Sequence, residues 1–528
     1  MQKFLQLGTV WPCRSIEDFP THYQGADASG LLVAWTSLWH PAFLNHLKTI
    51  PQWLPFDSDQ LGNQELLLTL PDVSRRKLDQ DAISVIRDAA NYLESGNDRH
   101  RAVQSIASEL GLESIDCVSR DLVDAFFALG YSWLQIQLMT RQLRYSSSLD
   151  MKEWNSKILE AAHNTVANNC DLARVSIQAA FDLLHEEKNR YYPVKADLFD
   201  LVLFTKSMLP ISKPVDFPSR VQNWHLELDE STKINWTNDV LKGISDQIAN
   251  GRLEIVGGVM PEVNQLMLSI CETIEGIRRY QNTSKQLFGE CPSTFMRRTS
   301  GLHPNLPMIL SLMGYSGALH MPFLGERIPQ ASAPKFSWQG TAGSRIAALG
   351  ATLLDASDNG SFLKLGVMIG EQIDSYHSAS IVFAHWPSQF GDFFGDLLVA
   401  SSYGGLFGTF RLFSEFFDEF YDSGYGDSFE FDDYRSRTLT ESAHDDQYNS
   451  ILFASQGNHE FATRLARERI ATILEMIQAV KTPEDDLDGV TKQLAVLNGL
   501  TPSTKCQRTF IAQVRSRNSF SIRLRSRF

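Results

Sequence analysis

The sequence predicts an α/β protein with a parallel sheet, helical insertions and a small helical bundle after it. Three observations lead there. Strand and helix signals alternate with short joints through the middle of the chain. Between about Leu122 and Leu184 Gly and Pro are scarce, and apolar residues recur at intervals of three and four. Ala466, Ile470, Ile473, Ile477 and Val480 then step 4-3-4-3, a seam suited to bundled helices.

Taken in order, Val240, Leu241, Ile244 and Ile248 mark one helical face, and Asn250-Gly251 ends it. Leu253–Val256 reads as a strand stopping at Gly257-Gly258. Ile270, Ile274, Ile277 and Leu287 have helical spacing, closed by Gly289 and Pro292. Residues 293–297 read as a strand, Leu306–Met313 as a short helix ended by Gly314, and 317–321 as another strand. A buried strand at 380–386 (SIVFAHW) precedes a helix around 393–401. Such alternation makes βαβ units on a parallel sheet. Asp150–Glu187 is expected to form one or two long helices, inside an insertion at about 120–190. The expected divisions are 1–425 for the sheet-based domain, 426–500 for the bundle and 501–528 for a basic tail.

Composition excludes several classes. Of 528 residues 43% are hydrophobic and 21% charged, the balance of a globular chain with a large core. A net charge of −14 argues against a nucleic-acid grip, which requires clustered Lys and Arg. Six scattered cysteines form no C-x-x-C pair and read as reduced, mostly buried thiols. The first residues carry only a short apolar run before Pro12, so no secretory leader is expected, no membrane span is read, and the cytoplasm is the default compartment. From Lys505 to Phe528 one Lys and six Arg stand without an acid; removing that +7 from −14 leaves −21 for the rest. The tail reads as a disordered end or, alternatively, as a basic arm.

In parallel β/α folds the functional groups gather at the carboxyl ends of strands. That rule selects Glu17 and Asp18 after the first strand, Glu262 after LEIV, Arg297, Arg298 and His303 after the next, His320 after GAL, and His385 with Trp386 after SIVFA. Acids, arginines and imidazoles together suit a sugar or another polyhydroxylated ligand, although single strand-end Arg or His residues also cap loop carbonyls. Glycoside hydrolysis needs two carboxyl groups flanking the scissile bond, and Glu17, Asp18 and Glu262 are the best-placed candidates. Capping of a turn before Pro20 is the competing role for Glu17 and Asp18. His444 and Asp445 offer zinc-type donors in an acidic loop, where solvated side chains are the plainer reading. Gly257-Gly258 lacks the spacing and Lys of a phosphate loop.

The span from Asn250 to Leu319 is the most specific. GRLEIVGGVMPEVN, a helix, and LFGECPSTFMRRTSGLHPNLPMILSLMGYSGAL resemble glycoside hydrolase family 38, the α-mannosidases. The resemblance covers about seventy residues. It implies a seven-stranded parallel β/α barrel followed by a helical bundle, a carbohydrate ligand, and zinc as cofactor. The chain departs from the family at the catalytic motifs. Arg298 occupies the position of the nucleophilic Asp, and the first-strand H-x-D metal motif corresponds to the stretch Arg14 to Asp18, without its His. The later family His corresponds only to His444-Asp445. An arginine forms no glycosyl ester and repels a metal ion. Three functions follow: a glycoside hydrolase using an acid pair such as Asp18 and Glu262, an inactive barrel binding an acidic sugar or other anion through Arg297 and Arg298, and an interaction protein using its helical flanks.

Overall fold

The computed structural model describes residues 4–434 apart from 90, 113–114, 116–117, 195, 206–207, 209–219, 229–236, 260–269, 299–300, 322, 324–327 and 420–425. Among them are fourteen α-helices and fifteen strands, with most strand pairs parallel. The chain divides into two compact units, Met1–Leu198 with Leu354–Phe410 and Phe199–Leu353 with Arg411–Phe528. The expected bundle beyond 434 and the basic tail lie outside the described residues.

In the first unit four parallel strands lie in the order Gln52–Pro55, Gln6–Trp11, Leu66–Pro71, Tyr92–Ser95. The two central ones, QLGTVW and LLLTLP, are buried almost throughout, which is why they read as continuous apolar runs rather than alternating ones. The expected helical insertion is present as Arg120–Gln142, Met151–Val166 and Cys170–Tyr191. Asp150 starts the second of these, its carboxylate accepting from the backbone N–H of Lys152 and Glu153 at 3.0 and 3.2 Å.

Indole rings join these helices. Trp39, Trp133 and Trp154 lie 5.0 to 5.9 Å from one another, with Trp35 a further edge-on neighbour of Trp39 at 5.6 Å. The Trp35 Nε1–H donates to the Gly130 carbonyl at 2.8 Å, and Trp154 Nε1–H to that of Ala180 at 3.1 Å. Gly130 sits mid-helix, where glycine costs about 1 kcal/mol relative to alanine. Its lack of a side chain is required, because a Cβ there would meet the Trp39 ring at 2.4 Å.

In the second unit Asp197–Phe204, whose first two residues belong to the first unit, pairs in parallel with Gln222–Leu226, and that strand with Leu253–Val256. The Gly257 N–H donates to the Thr294 carbonyl at 3.2 Å, linking this ladder to Thr294–Phe295, which pairs in parallel with Gly317–Leu319 and then Arg345–Leu349. The region read as consecutive parallel strands is therefore parallel, and its helices Asn238–Ala249, Ile270–Phe288 and Leu306–Leu312 fall where periodicity puts them. Gly251 and Gly289 end the first two at φ +65° and +89°, a left-handed backbone that glycine adopts without strain. Two features differ from expectation. The strand expected over 293–297 is only Thr294–Phe295, and Lys335–Gln339 with Arg345–Leu349 forms an antiparallel hairpin. Gly340 and Gly343 at the turn carry the signal for that hairpin.

Replacing Gly130 by alanine should lower unfolding stability by roughly 1–3 kcal/mol, the usual cost of overpacking a core, despite alanine's better helix propensity. A urea melt of Gly130→Ala checks this; an unchanged or raised midpoint would show that the indole cluster yields without cost.

Candidate ligand-binding rim

The rim of the second unit is built from its strand ends. Leu253–Val256 closes on Gly257-Gly258 because two aromatic side chains press against it. A Cβ on Gly257 would meet Tyr280 Oη at 2.3 Å, and one on Gly258 would meet the Phe295 ring at 2.2 Å. The Tyr280 hydroxyl lies 3.1 Å from the Leu226 carbonyl and 3.2 Å from that of Val256, and its proton is shared between the two adjacent strand ends. His225 Nδ1 lies 3.1 Å from the same Val256 oxygen. A carbonyl only accepts, so Nδ1 carries the proton. The glutamate of LEIV has a scaffold role. Glu254 is buried, which raises its pKa, and its carboxylate accepts from the Ser414 N–H at 2.8 Å; Asn223 accepts from Phe413 N–H at 3.0 Å.

Onto this frame the strand ends place Glu227, Arg297 and Arg298, with His303 shortly beyond. Arg298 Nη2 lies 3.2 Å from Glu227 Oε2, joining one strand end to another, and its side chain is only 11% exposed. Arg297 is buried. His303 is held near pKa 4, first by burial and then by the neighbouring Arg297 charge. Its Nδ1 accepts from the Asn305 N–H at 3.3 Å, as a neutral ring does. Arg297 and Arg298 follow one strand end, and a guanidinium group can bind carboxylate or phosphate through paired N–H donors.

The other expected residues have different settings. His320 is encased, its ring stacked 5.1 Å from Phe429 and edge-on to Trp338 at 5.0 Å, with Nε2 3.0 Å from the Tyr434 hydroxyl. Burial holds its pKa near 4. Glu17, Asp18, His385 and Trp386 belong to the first unit. Glu17 and Asp18 are exposed in the turn Ile16–Asp18, whose backbone carbonyls at Ile16 and Glu17 each accept from Arg141 at 2.8 Å. Hydrogen bonds from its own backbone and Ser15 keep the Glu17 carboxyl below the usual range. His385 is buried between Phe390 and Phe394, its Nδ1–H donating to the Trp386 carbonyl at 2.7 Å; Trp386 is half-buried. Glu262, His444 and Asp445 lie outside the described residues.

Among the described residues no three His, Cys, Asp or Glu side chains are grouped so as to hold a metal ion, so the donors present there do not fit the zinc implied by the resemblance. No described helix is long and apolar enough to cross a membrane. Glu227 and Tyr280 were not singled out in the sequence. The acidic run after QNWHL was the available signal for Glu227, whereas nothing local marks Tyr280 as a clasp.

No family model matches the chain, and no curated protein does. Among solved structures it is similar to an α-mannosidase from Enterococcus faecalis V583 at 12% identity and TM-score 0.40, over 62% of this chain and 41% of that one. A GH57 branching enzyme from Thermococcus kodakaraensis gives 10% identity and TM-score 0.34, over 93% and 84%. A 4-α-glucanotransferase from Thermococcus litoralis gives 13% and 0.28, over 47% and 40%. The chain thus spans about two fifths of the length of the mannosidase.

Two predictions follow from the rim. Tyr280→Phe removes a hydroxyl that serves two buried carbonyls and should cost about 1–3 kcal/mol in a urea melt; a cost near zero would show that the clasp is dispensable. His303 and His320 stay neutral down to about pH 4, whereas an unfolded histidine protonates near 6.5. Between those values the unfolded chain binds more protons, so their contribution is full above pH 6.5 and is lost as pH falls toward 4. The drop in melting temperature between pH 7 and pH 5 should therefore be smaller in His320→Phe than in the parent. An equal drop would mean that His320 does not titrate differently on unfolding.

Proposed function

We propose that this is a cytoplasmic carbohydrate-binding protein whose second unit takes an acidic sugar at the rim formed by Arg297, Arg298, His303 and Glu227, without cleaving it. The observation that supports this reading is the Arg298 guanidinium, only 11% exposed and oriented by Glu227 at 3.2 Å from another strand end. A uronate carboxylate would pair with guanidinium N–H groups, while neutral His303 and the Glu227 oxygens would serve sugar hydroxyls. The remaining expected sites, His320, His385 and Trp386, would act as packing around the strand ends. The finer architecture we favour is the seven-stranded β/α barrel implied by the L-E-I-V-G-G stretch, with the nucleophile position lost to Arg298 and the site degenerate as an α-mannosidase.

Hydrolysis is the second reading, and its carboxyl pair would come from Glu17 or Asp18 with Glu262. It is disfavoured by the exposure of Glu17 and Asp18, because a general acid needs a desolvated carboxyl with a raised pKa.

Calorimetric titration of the full chain with glucuronate and with mannose separates the two. Glucuronate should bind and mannose should not, with binding at least tenfold weaker in Arg298→Ala and no turnover of an aryl α-mannoside. Glu227→Gln keeps a partner for Arg298 and should retain most of the glucuronate affinity. Equal binding of mannose, or turnover abolished by Asp18→Asn, would replace this reading with the hydrolytic one.

A further inference from the structure

The strand Asp197–Phe204 also ends at the rim, beside the strand that leads to Glu227. Val202 and Phe204 pack with Trp224 and Leu226 in one apolar cluster, together with Val240 and Ile244 of the covering helix. Side chains alternate across a sheet, so Leu203 and His225, which stand opposite each other in the register, point to the other face. Two residues further on, the same alternation puts Thr205 and Glu227 side by side on that face. The pairing continues that far, because the Glu227 N–H donates to the Phe204 carbonyl at 3.2 Å, one step past Leu226. Thr205 is half-buried rather than sealed in the core, and its carbonyl accepts from the Met208 N–H at 2.9 Å where the chain turns.

We propose that Thr205 is a further ligand-contacting residue of this rim, its hydroxyl bonding a ring hydroxyl of the acidic sugar while Arg298 holds the carboxylate. The proposal rests on the acidic-sugar reading and adds to it a residue that reads the sugar's hydroxyls. Strand order places Thr205 on one side of Glu227 and Arg298 on the other, since the strand before Glu227 lies between Asp197–Phe204 and Leu253–Val256, and the last of these leads on to Thr294–Phe295. Neighbouring strands lie about 4.8 Å apart, so Thr205 is one strand spacing from Glu227. A ligand with its carboxylate at Arg298 reaches Thr205 by extending over Glu227. The chemistry of the two side chains is complementary. A sugar hydroxyl needs an acceptor for its proton and a donor for its oxygen. The Glu227 carboxylate, paired with Arg298, only accepts, whereas a threonine hydroxyl both donates and accepts.

The test is calorimetric titration of the full chain with glucuronate and with cyclohexanecarboxylate, which has the six-membered ring and the carboxylate but no hydroxyl. Thr205→Val keeps the shape and deletes the hydroxyl, and should weaken glucuronate about fivefold or more, the loss of one hydrogen bond. Cyclohexanecarboxylate should behave alike in the parent and in Thr205→Val. Thr205→Ser restores a hydroxyl and should stay close to the parent, and Thr205→Ala stands in if Thr205→Val does not fold. Unchanged glucuronate affinity in Thr205→Val or Thr205→Ala, with Arg298→Ala still weakened, would overturn the assignment and leave the acidic-sugar reading standing. Equal losses for both probes, or a Thr205→Ser as weak as Thr205→Val, would give Thr205 a structural role only and overturn it as well. No glucuronate binding by the parent would overturn both.

Discussion

The carbonyl oxygen of Val256 is the point on which the second unit's rim depends. It accepts from His225 and shares the hydroxyl of Tyr280 with the Leu226 carbonyl, so two neighbouring strands end at one height. A strand-end carbonyl has no ladder partner, and leaving it buried and unsatisfied would cost about 1–3 kcal/mol. Supplying the donors from a helix and from an adjacent strand fixes both against the sheet. The two glycines follow from the same constraint, because the rings of Tyr280 and Phe295 occupy the space a Cβ would need. With these ends fixed, Glu227 just beyond one strand and Arg298 just beyond another come within reach of an ion pair.

The local parts of this were legible in the sequence. The helix of Val240 and Ile244, its stop at Asn250-Gly251, and the strand Leu253–Val256 all rest on periodicity and on glycine conformations, which are properties of adjacent residues. The family resemblance selected the same stretch but could not explain its glutamate. Glu254 is directed at the backbone of Ser414, 160 positions away, and no local pattern encodes that contact. The pairing of Arg298 with Glu227 was hidden for the same reason. His320 reads as a strand-end imidazole, but its surroundings are set by Trp338, Phe429 and Tyr434, which only tertiary packing brings around it.

Buried ionisable groups are handled differently in the two units, and the difference follows from the chemistry of the residues. Arginine cannot discharge, so Arg99 is buried only with a carboxylate at hydrogen-bond distance and aromatic faces on both sides. Asp396 remains the counter-charge although burial pushes its pKa up to about 6, since that value still leaves it ionised at neutral pH. Histidine can discharge, and His303 and His320 do so, held near pKa 4. Neutral imidazoles accept or donate single hydrogen bonds at little desolvation cost, which allows them close to Arg297 and inside an aromatic cage respectively.

The same distinction bears on which charges are available to a ligand. Arg99 with Asp396 is an internally balanced pair. At the rim an ion pair joins two strand ends. Glu227 offsets Arg298, and His303 adds no charge while neutral. A chain carrying −14 overall repels anions at long range, so an anionic ligand must be held by short-range pairing with desolvated guanidinium groups rather than by attraction to the molecule as a whole. If the rim takes an acidic sugar, as proposed, that requirement favours a ligand whose hydroxyls add directional contacts to its carboxylate over a simple inorganic anion, and it would tie recognition to the hydrogen-bonded strand ends that position Arg298.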